Sequence, residues 1–213
     1  MEKFNARNFH AICDALSARD EDLALIISHY GYPPLWSRPN TFESLVHIIL
    51  EQQVSLASAL AALKKLQEKT QGITPERILL LSDAELRACY VSRQKSVYIR
   101  NLAVEISEKR LHLKKLALLP DEQVRATLIR LKGIGHWTAD IYLIFVLQRP
   151  DVFPLGDLAA LSALKRIKKV ADGHPVEDLK ALTDEWRPYR SVAAMMLWHH
   201  YLSLPRPGKS VIS

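Results

Sequence analysis

The feature that most constrains this chain is a pair of closely spaced glycines between two helical patterns. Residues 128–131 end the first pattern, the motif Gly-Ile-Gly follows at residues 133–135, and an almost wholly apolar run covers residues 139–147. A break this short leaves room only for a tight turn, so the two helices should form a hairpin. Taken alone, such a motif is more typical of a structural corner that closes two packed helices.

The hairpin is also a candidate site for one phosphate group. Glycine adopts backbone angles that other residues avoid, so the peptide N–H groups of the turn can point outward together. Lys132 precedes the turn, and the next helix opens near Trp137 with the positive end of its dipole toward the turn. These groups together would attract a single anion.

A second informative stretch follows the apolar helix. Residues 149–157 form a loop punctuated by prolines, and Leu158, Leu161 and Leu164 then recur at helical spacing. Asp157 therefore stands at a helix start, with its carboxylate at the edge of whatever the loop borders. The plain interpretation of that position is an N-cap aspartate, which stabilises the helix and does nothing more.

The two stretches together resemble a known family. The sequence Leu-Lys-Gly-Ile-Gly-His-Trp-Thr-Ala, followed 20 residues after Trp137 by the aspartate of Phe-Pro-Leu-Gly-Asp-Leu, is similar to the helix-hairpin-helix (HhH-GPD) DNA glycosylases. The similarity is to the alkylpurine, or 3-methyladenine DNA glycosylase II, branch, and it extends over about residues 42–201. It implies a monofunctional glycosylase that flips and excises alkylated purines in base excision repair and leaves an abasic site.

The expected fold is all-α. Helix-forming residues dominate, only 7 glycines are present, and 48% of the residues are hydrophobic, enough for a sizeable core. The resemblance implies a two-lobed helical bundle with an active-site cleft between the lobes. The predicted lobes are residues 38–149, which end in the helix-hairpin-helix, and residues 1–37 with 150–213, which carry the catalytic aspartate.

The resemblance also assigns roles to particular residues. Asp157 is the expected catalytic carboxylate, and it acts alone because a positively charged alkylpurine is already a good leaving group. Aromatic faces attract such a cation, and the predicted base pocket consists of Trp137, Trp198 and Tyr142. Bifunctional relatives carry a Schiff-base lysine where this chain has Trp137, so no lyase activity is expected.

Contacts with DNA are expected from two segments. In the resembled family a turn after the first helix of the larger lobe supplies a side chain that wedges into the duplex, and Gln53 falls there. A solvated helix junction would explain the same polar break. The residues predicted to contact DNA are Gln52, Gln53, Lys132, Gly133, Ile134, Gly135 and Thr138.

No cofactor is expected to be required. The resemblance implies a structural monovalent cation held by the hairpin carbonyls of Ile129, Leu131 and Ile134. Two cysteines, Cys13 and Cys89, are too few for the four-cysteine iron–sulfur loop that some members of the wider superfamily carry.

Charge and hydropathy indicate the partner and the compartment. The formal net charge of +6 and pI of about 9.3 are compatible with an acidic polymer, and double-stranded DNA with a damaged base is the predicted partner. No segment reads as a signal peptide or a membrane span, so we expect a DNA-associated intracellular monomer. Two alternatives stay open: a non-catalytic helix-hairpin-helix module that binds damaged DNA, and a glycosylase for deaminated or oxidised bases.

Overall fold

A computed structural model describes residues 3–171 and 173–205 of the chain. All the regular elements in these ranges are helical, which confirms the predicted fold class. The chain divides into two compact units, Ser37–Leu147 and the combination of Met1–Trp36 with Gln148–Ser213. The sequence had placed the two boundaries after residues 37 and 149. Residues 1–2, 172 and 206–213 of the second predicted lobe lie outside the described ranges.

The helices follow one another with short connections. In chain order they are α1 (Phe9–Ser17), α2 (Glu21–Tyr30), α3 (Phe42–Glu51), α4 (Leu56–Thr70), α5 (Pro75–Leu80), α6 (Asp83–Ala88), α7 (Arg93–Ser107), α8 (Leu113–Leu116), α9 (Asp121–Leu128), α10 (His136–Ile141), α11 (Leu158–Ile167), α12 (Val176–Asp184) and α13 (Arg190–Ser203). A π-helical turn, Tyr142–Val146, continues α10 without a break. None of the helices in the described ranges is both long and apolar enough to cross a bilayer.

Hydroxyl side chains begin several of these helices, as their sequence positions predict. The Thr41 side chain accepts a hydrogen bond from the Ser44 N–H at the start of α3. Ser82 and Glu85 form a reciprocal capping box at the start of α6. Each cap satisfies an N–H group that the helix itself cannot pair, which is typically worth about 1 kcal/mol.

Helix α3 lies at the centre of the Ser37–Leu147 unit. It packs against α4, α7 and α10, and α7 in turn packs against α5. The side chains of Leu45, Ile48 and Ile49 recur at helical spacing and are fully buried. Burying each of them contributes about 1.5–3 kcal/mol, so this stripe fixes the packing of the unit.

An ion pair joins α9 to α10 on the two sides of the glycine motif. The Arg125 Nε donates to Asp140 Oδ1 at 2.7 Å, and Asp140 is only 8% exposed. Burial raises the pKa of the Asp140 carboxyl, and the bond from Arg125 opposes that shift. The two helices of the hairpin are thereby linked by a charged contact as well as by apolar packing.

Helix α13 organises the other unit. It packs against α1, α2 and α11, and residues 191–197 are all buried. A polar cluster, the Asp20 network, lies in the same unit: Asp20 Oδ2 accepts from Lys168 Nζ at 2.8 Å and from Trp186 Nε1 at 2.6 Å. Lys168, in a segment rich in basic residues, also pairs with Asp22.

Candidate active site and nucleic-acid interface

Gly133 is the glycine that the hairpin turn itself requires. Its φ is +87°, in the left-handed region that disfavours residues with a Cβ. A Cβ at this position would also overlap the ring of Tyr98, which packs directly against the turn. Conformation and space therefore both exclude a side chain here.

Gly135 differs from Gly133, and the expectation that both glycines supply unusual backbone angles is wrong. Its φ of −101° and ψ of −176° are extended values that any residue adopts. No heavy atom in the described part of the chain, its neighbours aside, lies within 4 Å of a Cβ built there. The fold does not demand a glycine at this exposed position.

Three side chains brace the hairpin. The Gln52 Nε2 donates to the Gly133 carbonyl and to the Thr138 Oγ1, each at 2.9 Å. The Asn101 Oδ1 accepts from the Lys132 N–H at 3.3 Å, and Tyr98 packs beneath Gly133. The turn is thus held in one conformation by α3 and α7.

These contacts change the interpretation of two residues predicted to bind DNA. Thr138 is 1% exposed and its hydroxyl is engaged by Gln52, so its side chain has no surface to offer to DNA. Gln52 donates its amide hydrogens inside the protein and acts as a brace. The sequence did not identify Tyr98 or Asn101. Their separation of three residues on an amphipathic helix does place them on one face, but nothing local shows which element that face meets.

Gln53 projects from the turn between α3 and α4. It is exposed and has a φ of +56°, in the left-handed region. A non-glycine residue in this region is uncommon and marks a tightly determined turn. The position suits a wedge, and that role stays a prediction.

The backbone groups of the hairpin are only partly engaged within the protein. The Ile134 N–H donates to the Leu131 carbonyl at 3.1 Å. The N–H groups of the first residues of α10, beginning with His136, have no acceptor within their own helix. Together with the exposed Lys132, these N–H groups make the electrostatic potential at the turn positive.

The monovalent cation expected at the carbonyls of Ile129, Leu131 and Ile134 stays a prediction. The Leu131 carbonyl uses one lone pair for the Ile134 N–H, and a carbonyl oxygen has two. In the described part of the chain no group of three or more His, Cys, Asp or Glu side chains could hold a metal ion. Any cation bound here would therefore rely on backbone oxygens, which suit a hard monovalent ion.

Asp157 begins helix α11 and has a second contact that a simple cap does not need. Its Oδ1 accepts from the Ala160 N–H at 2.9 Å, the N-cap bond that the sequence predicts. The same oxygen accepts from the Trp198 Nε1 at 2.9 Å. Two donors on one oxygen fix the rotation of the carboxylate, and the residue remains partly exposed.

The contact with Asp157 gives Trp198 a role in addition to the one predicted for it in the base pocket. Trp198 lies on α13 and is 8% exposed, so most of its ring belongs to the core of its unit. Its indole N–H orients the Asp157 carboxylate. A small part of the residue remains exposed.

The loop before Asp157 is anchored to the start of α13. The Ser191 Oγ accepts from the Val152 N–H at 2.9 Å and donates to the Val152 carbonyl at 3.0 Å. The Ser191 N–H donates to the Pro150 carbonyl, and Arg190 pairs with Asp151 at 2.7 Å. Because Ser191 is fully buried, these bonds hold the loop, and hence Asp157, in a fixed position.

Of the remaining pocket residues, Trp137 fits its predicted role better than Tyr142. Trp137 lies in the first turn of α10 and is partly exposed. Tyr142 is fully buried, and its hydroxyl donates to the Asn40 Oδ1 at 2.7 Å. Its ring has no exposed face for a base, so Tyr142 is a core residue of the Ser37–Leu147 unit.

A helical fold with a braced Gly-x-Gly hairpin and an oriented aspartate at a helix start defines the class of helix-hairpin-helix proteins that act on DNA. The chain belongs to the HhH-GPD superfamily of base excision DNA repair proteins, whose family model matches residues 46–188. The match includes the hairpin and Asp157, and it ends at the Arg187-Pro188 bond, ten residues before Trp198.

Two curated relatives illustrate the similarity. The YfjP protein of Bacillus subtilis (strain 168) is provisionally named a DNA-3-methyladenine glycosylase. It is 30% identical to this chain over 184 residues, which are 83% of this chain and 64% of YfjP. The chain therefore spans less than two thirds of that relative. The alkylbase DNA glycosidase-like protein mag2 of Schizosaccharomyces pombe is 26% identical, over 86% of this chain and 89% of its own.

Solved structures share the fold. A DNA-3-methyladenine glycosidase from Bacillus halodurans is 31% identical and superposes with a TM-score of 0.76 over 95% of this chain and 94% of its own. The 3-methyladenine DNA glycosylase Mag1 of S. pombe, solved in complex with abasic DNA, is 26% identical and gives a TM-score of 0.79 over 88% and 95% of the two chains. Both comparisons include the two units described above.

Proposed function

We propose that this chain is a monofunctional DNA glycosylase that excises alkylated purines of the 3-methyladenine and 7-methylguanine class from double-stranded DNA. The observation that carries the proposal is the hydrogen bond from the Trp198 indole N–H to the Asp157 carboxylate, in a chain that belongs to this superfamily. A capping aspartate alone does not need a second donor from a distant helix. The product is an abasic site.

Asp157 would stabilise the positive charge that develops on the sugar as the base departs. A cationic alkylpurine leaves without a general acid, so one preorganised carboxylate is sufficient, unlike the carboxylate pair of glycosidases. The bonds from Ala160 and Trp198 to Oδ1 keep the carboxylate in one orientation. An oriented charge stabilises the transition state without reorganising during the reaction.

Trp137 supplies the aromatic face that the cationic base would meet. A cation over an indole gains about 0.5–2 kcal/mol, depending on how completely it is desolvated. Because this position holds tryptophan where bifunctional relatives carry a lysine, no Schiff base forms and the strand is not cut.

The hairpin would hold the DNA backbone next to the lesion. The Lys132 side chain and the N–H groups around Gly135 and His136 would contact one phosphate, while Gln53 fills the gap left by the flipped nucleotide. The Ser37–Leu147 unit contains sixteen Lys and Arg residues against eleven Asp and Glu, so it carries +5 of the net charge of +6. Affinity that rests on such charges falls as salt is raised.

The first prediction tests the carboxylate. Asparagine caps a helix about as well as aspartate, so Asp157→Asn should keep folding stability within about 1 kcal/mol while it removes the negative charge. Single-turnover release of 3-methyladenine from methylated DNA should fall by at least roughly a hundredfold. Affinity for damaged DNA should survive, because the hairpin is untouched.

Asp178→Asn is the matched control, since Asp178 is an exposed aspartate on α12, with its side chain 61% exposed. It should release the base at the wild-type rate. Near-wild-type excision by folded Asp157→Asn would leave Asp157 as a helix cap. If the wild type binds damaged DNA and releases no base at all, the chain is a non-catalytic binding module. Release from deaminated or oxidised DNA alone would instead reassign the substrate.

A further inference from the structure

An ion pair lies at the end of helix α3, directly before the turn to α4. Glu51 is the last residue of α3, and Arg38 donates to both of its carboxylate oxygens. The Arg38 Nη1 lies 2.9 Å from Glu51 Oε2, and the Nη2 lies 2.6 Å from Oε1. The side chains of Arg38 and Glu51 are only 19% and 10% exposed. Two parallel bonds of this kind fix the relative orientation of the two side chains.

The charge of Glu51 is unfavourable at this position if stability alone is considered. The C-terminal end of a helix carries a partial negative charge, so the helix repels a carboxylate placed there. Removing both charges of the pair from water costs further free energy, which makes such a pair weak evidence for stability. The contribution of the pair is therefore a defined geometry at the end of α3.

Arg38 is itself held in place by the element that continues α10. Its backbone N–H donates to the Phe145 carbonyl at 2.8 Å, and its guanidinium lies 5.4 Å from the centroid of the Phe145 ring. His47 Nε2 is 3.5 Å from Glu51 Oε1, but burial and the nearby Arg38 lower the pKa of His47. His47 is therefore neutral at pH 7, and Arg38 balances the charge of Glu51.

The residues on both sides of Glu51 are also held, each by a different element. The Leu50 carbonyl accepts from the Lys95 Nζ of α7 at 2.7 Å, and the Gln52 side chain is bonded to the hairpin. Three consecutive residues, 50–52, are thus fixed by three separate parts of this unit. The next residue is the predicted wedge, Gln53, which is exposed and has a left-handed φ. The turn that presents Gln53 therefore starts from a rigid support.

We propose that Glu51 is a positioning residue for Gln53, and that its ion pair with Arg38 fixes the direction in which the Gln53 side chain enters the duplex. This inference rests on the proposed function, in which Gln53 fills the gap left by the flipped nucleotide. A wedge on a mobile turn would lose conformational freedom whenever it entered DNA, and a turn that is already fixed avoids that loss. The flipped nucleotide then remains outside the duplex for longer and is excised faster.

The test is a double-mutant cycle on the single-turnover release of 3-methyladenine at saturating enzyme. Glu51→Gln removes the charge and one of the two acceptors but keeps the size of the side chain. It should lower the rate by about fivefold, a part of what a charged hydrogen bond contributes in full. Gln53→Ala should lower the rate by about tenfold, because the flipped state is less stable without a wedge. The double variant should be no slower than Gln53→Ala, because Glu51 acts through Gln53.

Glu105→Gln is the matched control for loss of an ion pair. Glu105 accepts two bonds from Arg110, at 3.0 and 2.9 Å, in the same unit. It lies ten residues, or about 15 Å, farther along α7 than Lys95, and it should release the base at the wild-type rate. Arg38→Met removes the Glu51 pair from its other side and should reproduce the loss of rate, again only in a chain that retains Gln53. Thermal melts establish that each variant is folded.

A fluorescence measurement without chemistry separates this inference from the proposed function. 2-Aminopurine beside a tetrahydrofuran abasic analogue becomes brighter when an inserted side chain unstacks it. Glu51→Gln should reduce the increase seen with the wild type and should change nothing further in Gln53→Ala.

Equal losses from Glu51→Gln with and without Gln53, or a Gln53→Ala variant with the wild-type rate and fluorescence, overturn the inference, while release of the base leaves the proposed function standing. If the wild type gives the expected fluorescence pattern but releases no base, the proposed function fails and the positioning of Gln53 stands.

Discussion

At the scale of single residues, the two hairpin glycines serve different purposes. Gly133 has a left-handed φ and packs against Tyr98, so its missing side chain is required by the fold. Gly135 is extended, exposed and surrounded by open space. Under the proposed function, a DNA backbone would approach the turn closely at this residue.

This difference predicts opposite phenotypes for one substitution made at two neighbouring sites. Gly133→Ala should destabilise the protein by about 2 kcal/mol or more, because it adds backbone strain and steric overlap. Gly135→Ala should stay within about 0.5 kcal/mol of the wild type, as surface substitutions do. It should nevertheless weaken DNA binding by about tenfold, or 1.4 kcal/mol, because the added methyl group separates the turn from the phosphate.

Thermal melts and anisotropy titrations of both variants check this pair. Each variant serves as the control for the other, since both add the same methyl group to the same turn. Wild-type DNA affinity in Gly135→Ala would show that nothing approaches this residue closely. A Gly133→Ala variant as stable as the wild type would refute the assignment of strain to Gly133.

A second residue-scale prediction separates the two roles of Trp198. Trp198→Phe keeps an aromatic ring that can still stack on a base but removes the N–H that orients Asp157. We expect the single-turnover rate to fall by about tenfold, the worth of one charge-assisted hydrogen bond, with affinity for damaged DNA nearly unchanged. A residue that only stacks on the base would lose affinity instead.

Trp186→Phe is the matched control for loss of packing. Trp186 is also a buried tryptophan of the same unit, and its indole N–H also donates to an aspartate, Asp20. Both variants should lose stability, but Trp186→Phe should keep the wild-type excision rate at a temperature where it is folded. Equal losses of excision rate in both variants would show that the Trp198 contact only stabilises the fold.

At the scale of helices, the Asp20 network ties three elements together. Asp20 caps α2 through Oδ1, while its Oδ2 accepts from Lys168 at the end of α11 and from Trp186 after α12. Burial by itself would raise the pKa of the Asp20 carboxyl. The bonds from Lys168, Trp186 and the Leu23 N–H outweigh that effect and lower the pKa below its ordinary value of 3.8.

The sign of this shift predicts a pH dependence. A depressed pKa in the folded state contributes stability that is present above the unfolded value and is lost as the pH falls through the folded one. Asp20→Asn keeps the cap but loses the ion pair, so it should be less stable than the wild type at pH 7. The difference in unfolding free energy between the wild type and Asp20→Asn should shrink as the pH falls below 3.8. Urea unfolding from pH 7 to pH 2 measures it, and a constant difference would contradict the assignment.

At the scale of the whole molecule, charge and chemistry are divided between the two units. The Ser37–Leu147 unit carries the hairpin, the turn that contains Gln53 and nearly all the excess positive charge, with sixteen basic against eleven acidic residues. The other unit has thirteen against twelve and carries Asp157 with the groups that orient it. Under the proposed function, attraction for the DNA backbone and stabilisation of the transition state would therefore come from different parts of the chain.

The sequence by itself determined the local features of this protein. Helical periodicity, the caps at Thr41, Ser82 and Asp157, and the glycine motif depend on residues within one or two turns of each other, so their physics is readable from the chain. Family resemblance then supplied the class of site. For these reasons the all-α fold and the superfamily were predictable.

Only the tertiary structure decided what each candidate residue does, because those roles depend on partners far away in the chain. Gln52 meets Gly133 across 81 positions, and Trp198 meets Asp157 across 41. From the local sequence alone, neither Gln52 nor Trp198 can be distinguished from a surface or core residue that makes no such contact. Burial likewise removed Tyr142 from the base pocket, since a tyrosine at a helical core position and one at a pocket wall have the same periodicity. Which face of a helix meets which neighbour is settled by packing, and packing is a property of the folded chain.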